Sequence, residues 1–156
     1  MAFLSSMNII GSGMTAQQVR LDVISENISN MQTTRTEQGG AYRRKMTVFQ
    51  AESGKNSFRL ALDRAAVRRG ISISNRNAQK AGGVRVTEIR EDESELPIVY
   101  DPTHPDANEQ GYVEMPNVIL VREVTDAMAA SQAFSANATA LGVLRTVAAK
   151  GLEIGK

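Results

Sequence analysis

At 156 residues the chain has material for about one domain, and with aromatics at 4% and no Trp its core must be built from Leu, Ile, Val and Met. No Cys occurs, which excludes disulfides, thiolate metal sites and Cys nucleophiles. The net charge of +1 hides two blocks, a balance of +9 from Arg35 to Arg90 and of −9 from Glu91 to Asp126; they read as solvated faces that neutralise each other within or between copies, since the basic block lacks the interleaved aromatics and motifs of a nucleic-acid binder.

Phe3, Met7, Ile10, Met14, Gln17, Leu21, Ile24, Ile28 and Met31 recur at spacings of four and three. That periodicity predicts an amphipathic helix of about eight turns over 3–31. Gly11 and Gly13 are weak points in it, costing about 1 kcal/mol each relative to Ala. The start has no charged region ahead of an apolar core, so no cleaved secretory signal is expected. No run of 18 apolar residues occurs either, so stable membrane insertion is not expected.

Residues 31–41 are polar and end in Gly39-Gly40, the composition of a linker. Tyr42 to Gln50 alternates as a strand would, and Val84 to Ile89, introduced by Gly82-Gly83, is a second strand. Between them Phe58, Leu60 and Leu62 alternate like a strand, while Leu62, Ala66 and Val67 also fit a helical turn, so this stretch reads as loop with short strands. Ile98 to Tyr100 is a third short strand. Asp101-Pro102-Thr103-His104-Pro105-Asp106 cannot be regular, because each Pro removes a donor and restricts the residue before it.

Pro116-Asn117 then opens a C-terminal helix, with Asn117 as a candidate N-cap. Along it Leu120, Val124, Ala127, Ser131, Phe134, Ala138, Leu141, Arg145, Ala148 and Leu152 repeat the spacing, Leu144 keeps the stripe partly apolar beside Arg145, and Gly155 is a fitting stop. A helix with one apolar face draws most of its stability from burying that face. The predicted fold is therefore mainly α with a small β-rich middle. Long N- and C-terminal helices (1–34 and 117–156) pack as a coiled-coil pair, and 35–116 forms a linker and strand-rich outer domain.

The residues that carry chemistry are few. His104 is the only His, and the prolines around it hold Asp101, His104 and Asp106 in a turn without ligand-aiming spacing, so a hydrogen-bonded turn histidine is expected. Gly11-Ser12-Gly13 has no strand before it and no Lys in place after it, unlike a phosphate loop. The run Glu91, Asp92, Glu93, Glu95 lacks the ligand alternation of a calcium loop. No catalytic, cofactor or metal residues are assigned, and the chain is not expected to be an enzyme.

The stretch SGMTAQQVRLDVISENISNMQTTRT (Ser12 to Thr36), followed by AYRRKMTVF, resembles the start of flagellar basal-body rod proteins. More specifically, GVRVTEIREDESELPIVYDPTHPDANEQGYVEMPNV (Gly83 to Val118) and the later AFSANATAL are similar to proximal-rod members of that family. Met31 stands where rod proteins commonly have a small residue, and Gln132 and Phe134 where they often show Arg and Tyr. The resemblance implies a structural subunit of the rod, exported by the flagellar type III apparatus without a cleaved signal and assembling across the periplasm with copies of itself and other rod proteins. Its terminal helices would form an inner tube with the middle segment outside. A soluble helical-bundle adaptor and a basic nucleic-acid-binding module are the alternatives.

The residues expected at assembly contacts are Phe3, Met7, Ile10, Met14, Leu21, Ile24, Ile28, Met31, Leu120, Val124, Phe134, Leu141, Leu144 and Leu152. Polar contacts between subunits are expected from Asn27, Asn30, Tyr42, Arg43, Arg44 and Asn137. Leu21→Asp or Leu141→Asp is expected to abolish assembly and motility, because a carboxylate would be buried unpaired at the seam; normal swimming by either variant would overturn this.

Overall fold

The structure, a computed structural model, describes residues 2–37, 39–52 and 82–154. Two long helices, α1 (Ala2–Ser29) and α2 (Leu120–Ile154), enclose four short strands: β1 (Lys45–Ala51), β2 (Val84–Glu91), β3 (Ile98–Tyr100) and β4 (Tyr112–Glu114). The expected segment around Phe58, Leu60, Leu62, Ala66 and Val67, and the expected stop at Gly155, lie outside the described residues.

The helices run antiparallel, since Gly13 lies against Asn137, Arg20 against Asp126 and Asn27 against Glu123. Helix α1 is continuous through Gly11 and Gly13. Ala16, Val23, Ile24 and Asn27 are its buried positions, and Glu123 and Ala130 are those of α2. The face of α1 turned to α2 therefore runs Gly13, Ala16, Arg20, Val23, Asn27. It lies one residue, or about 100° of helical rotation, from the large apolar stripe of Met14, Leu21 and Ile28. Small side chains let the axes approach, and the larger ones stand at the flank, half-buried.

Strands β1 and β2 form an antiparallel ribbon from Lys45↔Glu91 to Ala51↔Val84, with a bulge after Val48 that leaves Thr87 out of register. Both strands pack on α1. At the start of β2 the Ser12 hydroxyl donates to Ile9 O at 2.7 Å and accepts the Val84 N–H at 3.0 Å. A Cβ on Gly83 would overlap that hydroxyl, so glycine is required for the ribbon to lie this close to the helix.

β3 and β4 form a second antiparallel pair, Ile98↔Glu114, Val99↔Val113 and Tyr100↔Tyr112. The sequence reading includes β3 but not β4. Three residues are too few to show a period, and Tyr112–Glu114 gains strand geometry only by pairing with β3. Gly111, at φ 80°, lets the chain turn under the Tyr100 ring, which a Cβ would meet at 3.0 Å. In the loop, His104 Nδ1 accepts the Asp106 N–H at 3.1 Å, the turn role expected of it.

Helix α2 corrects one expectation. It begins at Leu120, and the first amides, of Arg122 and Glu123, are accepted by the Ile119 carbonyl. Asn117 is no cap: its Oδ1 accepts the Arg44 N–H at 2.7 Å, while its Nδ2 donates to Asp92 O and Ser94 Oγ. A long-range backbone partner outcompetes the local capping role.

Candidate functional site: a buried clamp and the helix faces it sets

Glu123 and Asn27 are both 0% exposed and face each other across the helix seam. A buried carboxylate is costly unless it is paired and hydrogen-bonded. Glu123 Oε1 takes the Arg44 Nε–H at 2.5 Å, and its Oε2 takes an N–H of Asn27 Nδ2 at 3.0 Å. Arg44 extends the pairing through Nη2 to Asp126 Oδ2 at 3.1 Å, and Asp126 also meets Arg20 at 3.4 Å.

Asn27 uses its whole hydrogen-bonding capacity. Nδ2 donates to Lys45 O and Glu123; Oδ1 accepts the Lys45 N–H at 2.9 Å and the Tyr42 hydroxyl at 3.0 Å. The start of β1 is thereby pinned to α1 through side-chain bonds that mimic a strand partner. Arg44 pins the same segment to the stretch after β2, because its carbonyl accepts the Asp92 N–H at 2.7 Å.

Burial, followed by the nearby carboxylates of Glu26, Glu91 and Glu123, pushes the Tyr42 phenol up to about 12. Hydrogen bonds from the Ser94 amide and hydroxyl, with Arg44 and Arg122 adding attraction, hold Asp92 below the usual carboxylate range.

The expected intersubunit polar contacts at Asn27, Tyr42 and Arg44 thus take a different form in the single chain. These groups are buried and already partnered inside it, because the linker folds back onto the seam. Arg43 donates to the carbonyls of Asp92 and Ser94. Asn30 bonds Glu26 O and the Thr33 hydroxyl. Asn137 lies at the Gly13 crossing, where its amide would stand 3.1 Å from an added Cβ.

Of the apolar positions expected at assembly contacts, Ile24 is buried. Met7, Ile10, Met14, Leu21, Ile28, Met31, Phe134, Leu141 and Leu144 are half-buried, and Phe3, Leu120, Val124 and Leu152 are exposed. Sequence reasoning missed Glu123 altogether and, for Asn117, Asp92 and Ser12, which it read otherwise, the long-range partners. Glu123 alone had a visible signal, an acid four residues before Ala127 on the predicted inner face.

Among the described residues no group of His, Asp and Glu is arranged to hold a metal ion, and no helix is long and apolar enough to cross a membrane. The described residues thus form a paired-helix scaffold with a buried clamp and with large apolar side chains exposed on both helices. Residues 7–35 match the family model for flagella basal body rod proteins, and residues 109–154 match the C-terminal model of flagellar basal body rod FlgEFG proteins. Both matches point to one class, the structural proteins of the flagellar basal-body rod.

The chain is 39% identical to the flagellar basal-body rod protein FlgC of Bacillus subtilis over 100% of both chains. It is 38% identical to FlgC of Borreliella burgdorferi over 99% of this chain and 98% of that one, and 31% identical to FlgC of Salmonella typhimurium over 100% of both. It belongs to the FlgC family of flagellar basal-body rod proteins.

Two outcomes test the clamp. Arg44→Leu leaves Glu123 buried without its cation and should cost about 3–5 kcal/mol, whereas Arg44→Leu with Glu123→Leu should recover much of that loss. Denaturant unfolding of the single and double variants measures it, and equal losses in both would refute the pairing. The second outcome concerns alkali. Because the fold favours the neutral phenol of Tyr42, its contribution is complete below the ordinary tyrosine value near 10 and is lost as pH rises toward about 12. Thermal melts should therefore decline over that window in the native chain and follow a shallower course in Tyr42→Phe.

Proposed function

We propose that the chain is a rod subunit that assembles with copies of itself and with other rod proteins into a helical axial shaft. The observation that carries this reading is that α2 leaves large apolar side chains outside the helix pair. Glu123, Ala130, Asn137 and Leu141 turn toward α1, while Val121 and Met128 stand about half a turn away and Val124 about 100° round, with Val121 76% and Met128 69% exposed. Large apolar side chains clustered on an exposed helix face mark a surface that a partner covers. Within one chain, α1 covers one side only.

The helices contain 28 and 35 residues and so extend about 42 and 52 Å. Each is long enough to touch more than one neighbour. A filament needs head-to-tail contacts whose rotation does not close into a ring, so each subunit would present two different surfaces to its neighbours. Under torque many such contacts share the shear, and no single one has to be strong. The lack of Cys supports passage through an export channel in an unfolded form, since no covalent cross-link has to be undone first. Assembly after passage would place the subunit in the part of the basal body that crosses the periplasm.

Met128→Asp separates assembly from folding. Its side chain is solvated in the single chain, so stability should change by no more than about 0.5 kcal/mol. Incorporation into purified basal bodies and swimming should nevertheless be lost, because a carboxylate would be buried against the next subunit. Normal incorporation and motility would rule out this face as a contact.

A further inference from the structure

Two surfaces of the chain have complementary chemistry. The first is a cleft of about 340 Å³ between α1, β1 and the first turns of α2. Val23, Ile24, Met46 and Phe49 give it an apolar lining, and the cations Arg20, Arg44, Lys45 and Arg122 outnumber the one lining carboxylate, Asp126. Arg20 and Lys45 each hold one carboxylate, Asp126 and Glu26, and have N–H groups beyond those contacts. Arg122 is exposed and makes no salt bridge among the described residues.

The second surface is the outer face of the β3–β4 hairpin. Its register puts Ile98, Tyr100 and Tyr112 on one side, with Ile98 66% and Tyr100 64% exposed. The two tyrosine rings brace each other edge to face at 5.2 Å, and the exposed carboxylate of Glu114 lies across from Ile98 on the same face, with Glu95 and Glu109 exposed in the segments just before and between the two strands. Neither strand packs on α1, β1, β2 or α2, so this apolar face is uncovered and the hairpin does not occupy the cleft of its own chain.

We propose that the acid-flanked Ile98–Tyr100–Tyr112 face of one copy docks in the basic-edged cleft of the next copy. Apolar meets apolar and carboxylates meet cations, which fixes orientation as well as attraction. The occupant is a second copy because both halves of the match are on one chain. The two patches are different, so the contact is head to tail and can pass from each copy to the next. The contact rests on the rod reading and adds an outer-domain junction to the one made by the helices.

The native chain has no Cys, so paired cysteines report this contact without background. Thr47→Cys in the cleft and Ile98→Cys on the hairpin are introduced together into the full chain, and purified basal bodies are treated with a short bis-maleimide. Self-linked dimers and higher multimers are expected from the double variant and not from either single one. A second arm needs no cysteine: Arg122→Glu and Glu114→Lys should each reduce swimming several-fold, and together they should restore it. Basal bodies that contain the double-cysteine chain without self-links, links to a different rod protein, or a charge swap without recovery would overturn the docking and leave the rod reading standing. Absence of the native chain from basal bodies would overturn both.

Discussion

Glu123 is a carboxylate placed where the seam between two helices excludes water, and the geometry around it follows from the need to satisfy it. Only a cation with several directional donors can do so while also reaching Asp126, and Arg44 is that cation. Because Arg44 stands immediately before β1, satisfying Glu123 draws the linker and the ribbon onto the helix pair. Asn27 completes the arrangement from the other helix, with four hydrogen bonds that tolerate little displacement. Polar groups buried in this way contribute register: a slide of one helix past the other would orphan Glu123, Asn27 and Arg44 together.

That locked register determines what each helix leaves uncovered. Helix α1 gives its small side to α2, so Met14, Leu21 and Ile28 stand at the edge of the pair. Helix α2 turns Glu123, Ala130 and Asn137 to α1 and keeps Val121, Val124 and Met128 outside. In a chain that worked alone this distribution would be a liability. In the proposed assembly it would supply surface for neighbours, with the clamp holding that surface in one orientation.

The outer elements follow the same division. The β1–β2 ribbon is tied to α1 at both ends, through Asn27 at one and Ser12 at the other, whereas among the described residues the β3–β4 hairpin packs on no other helix or strand. A two-stranded hairpin is marginal by itself. Here it is reinforced by the Tyr100–Tyr112 contact, the Met115–Pro97 backbone bond and the Thr34–Asp106 hydrogen bond to the linker.

The two long helices, the ribbon strands and the short β3 were legible in the sequence, because period-3.6 and period-2 patterns are local and each element is long or well bounded. Family membership was legible from contiguous motifs for the same reason. Which side of α1 meets α2 was not, since the apolar stripe marks what must be buried and does not say against what. Asn117 read as a cap and proved to be a long-range acceptor; Tyr42 and Arg44 read as contacts between subunits and proved to be buried inside one. By itself the sequence determined the elements and the family. Only the tertiary structure decided the partners of Glu123, Asn27 and Arg44, because the cost of an unpaired buried polar group depends on neighbours that lie up to 96 positions away along the chain.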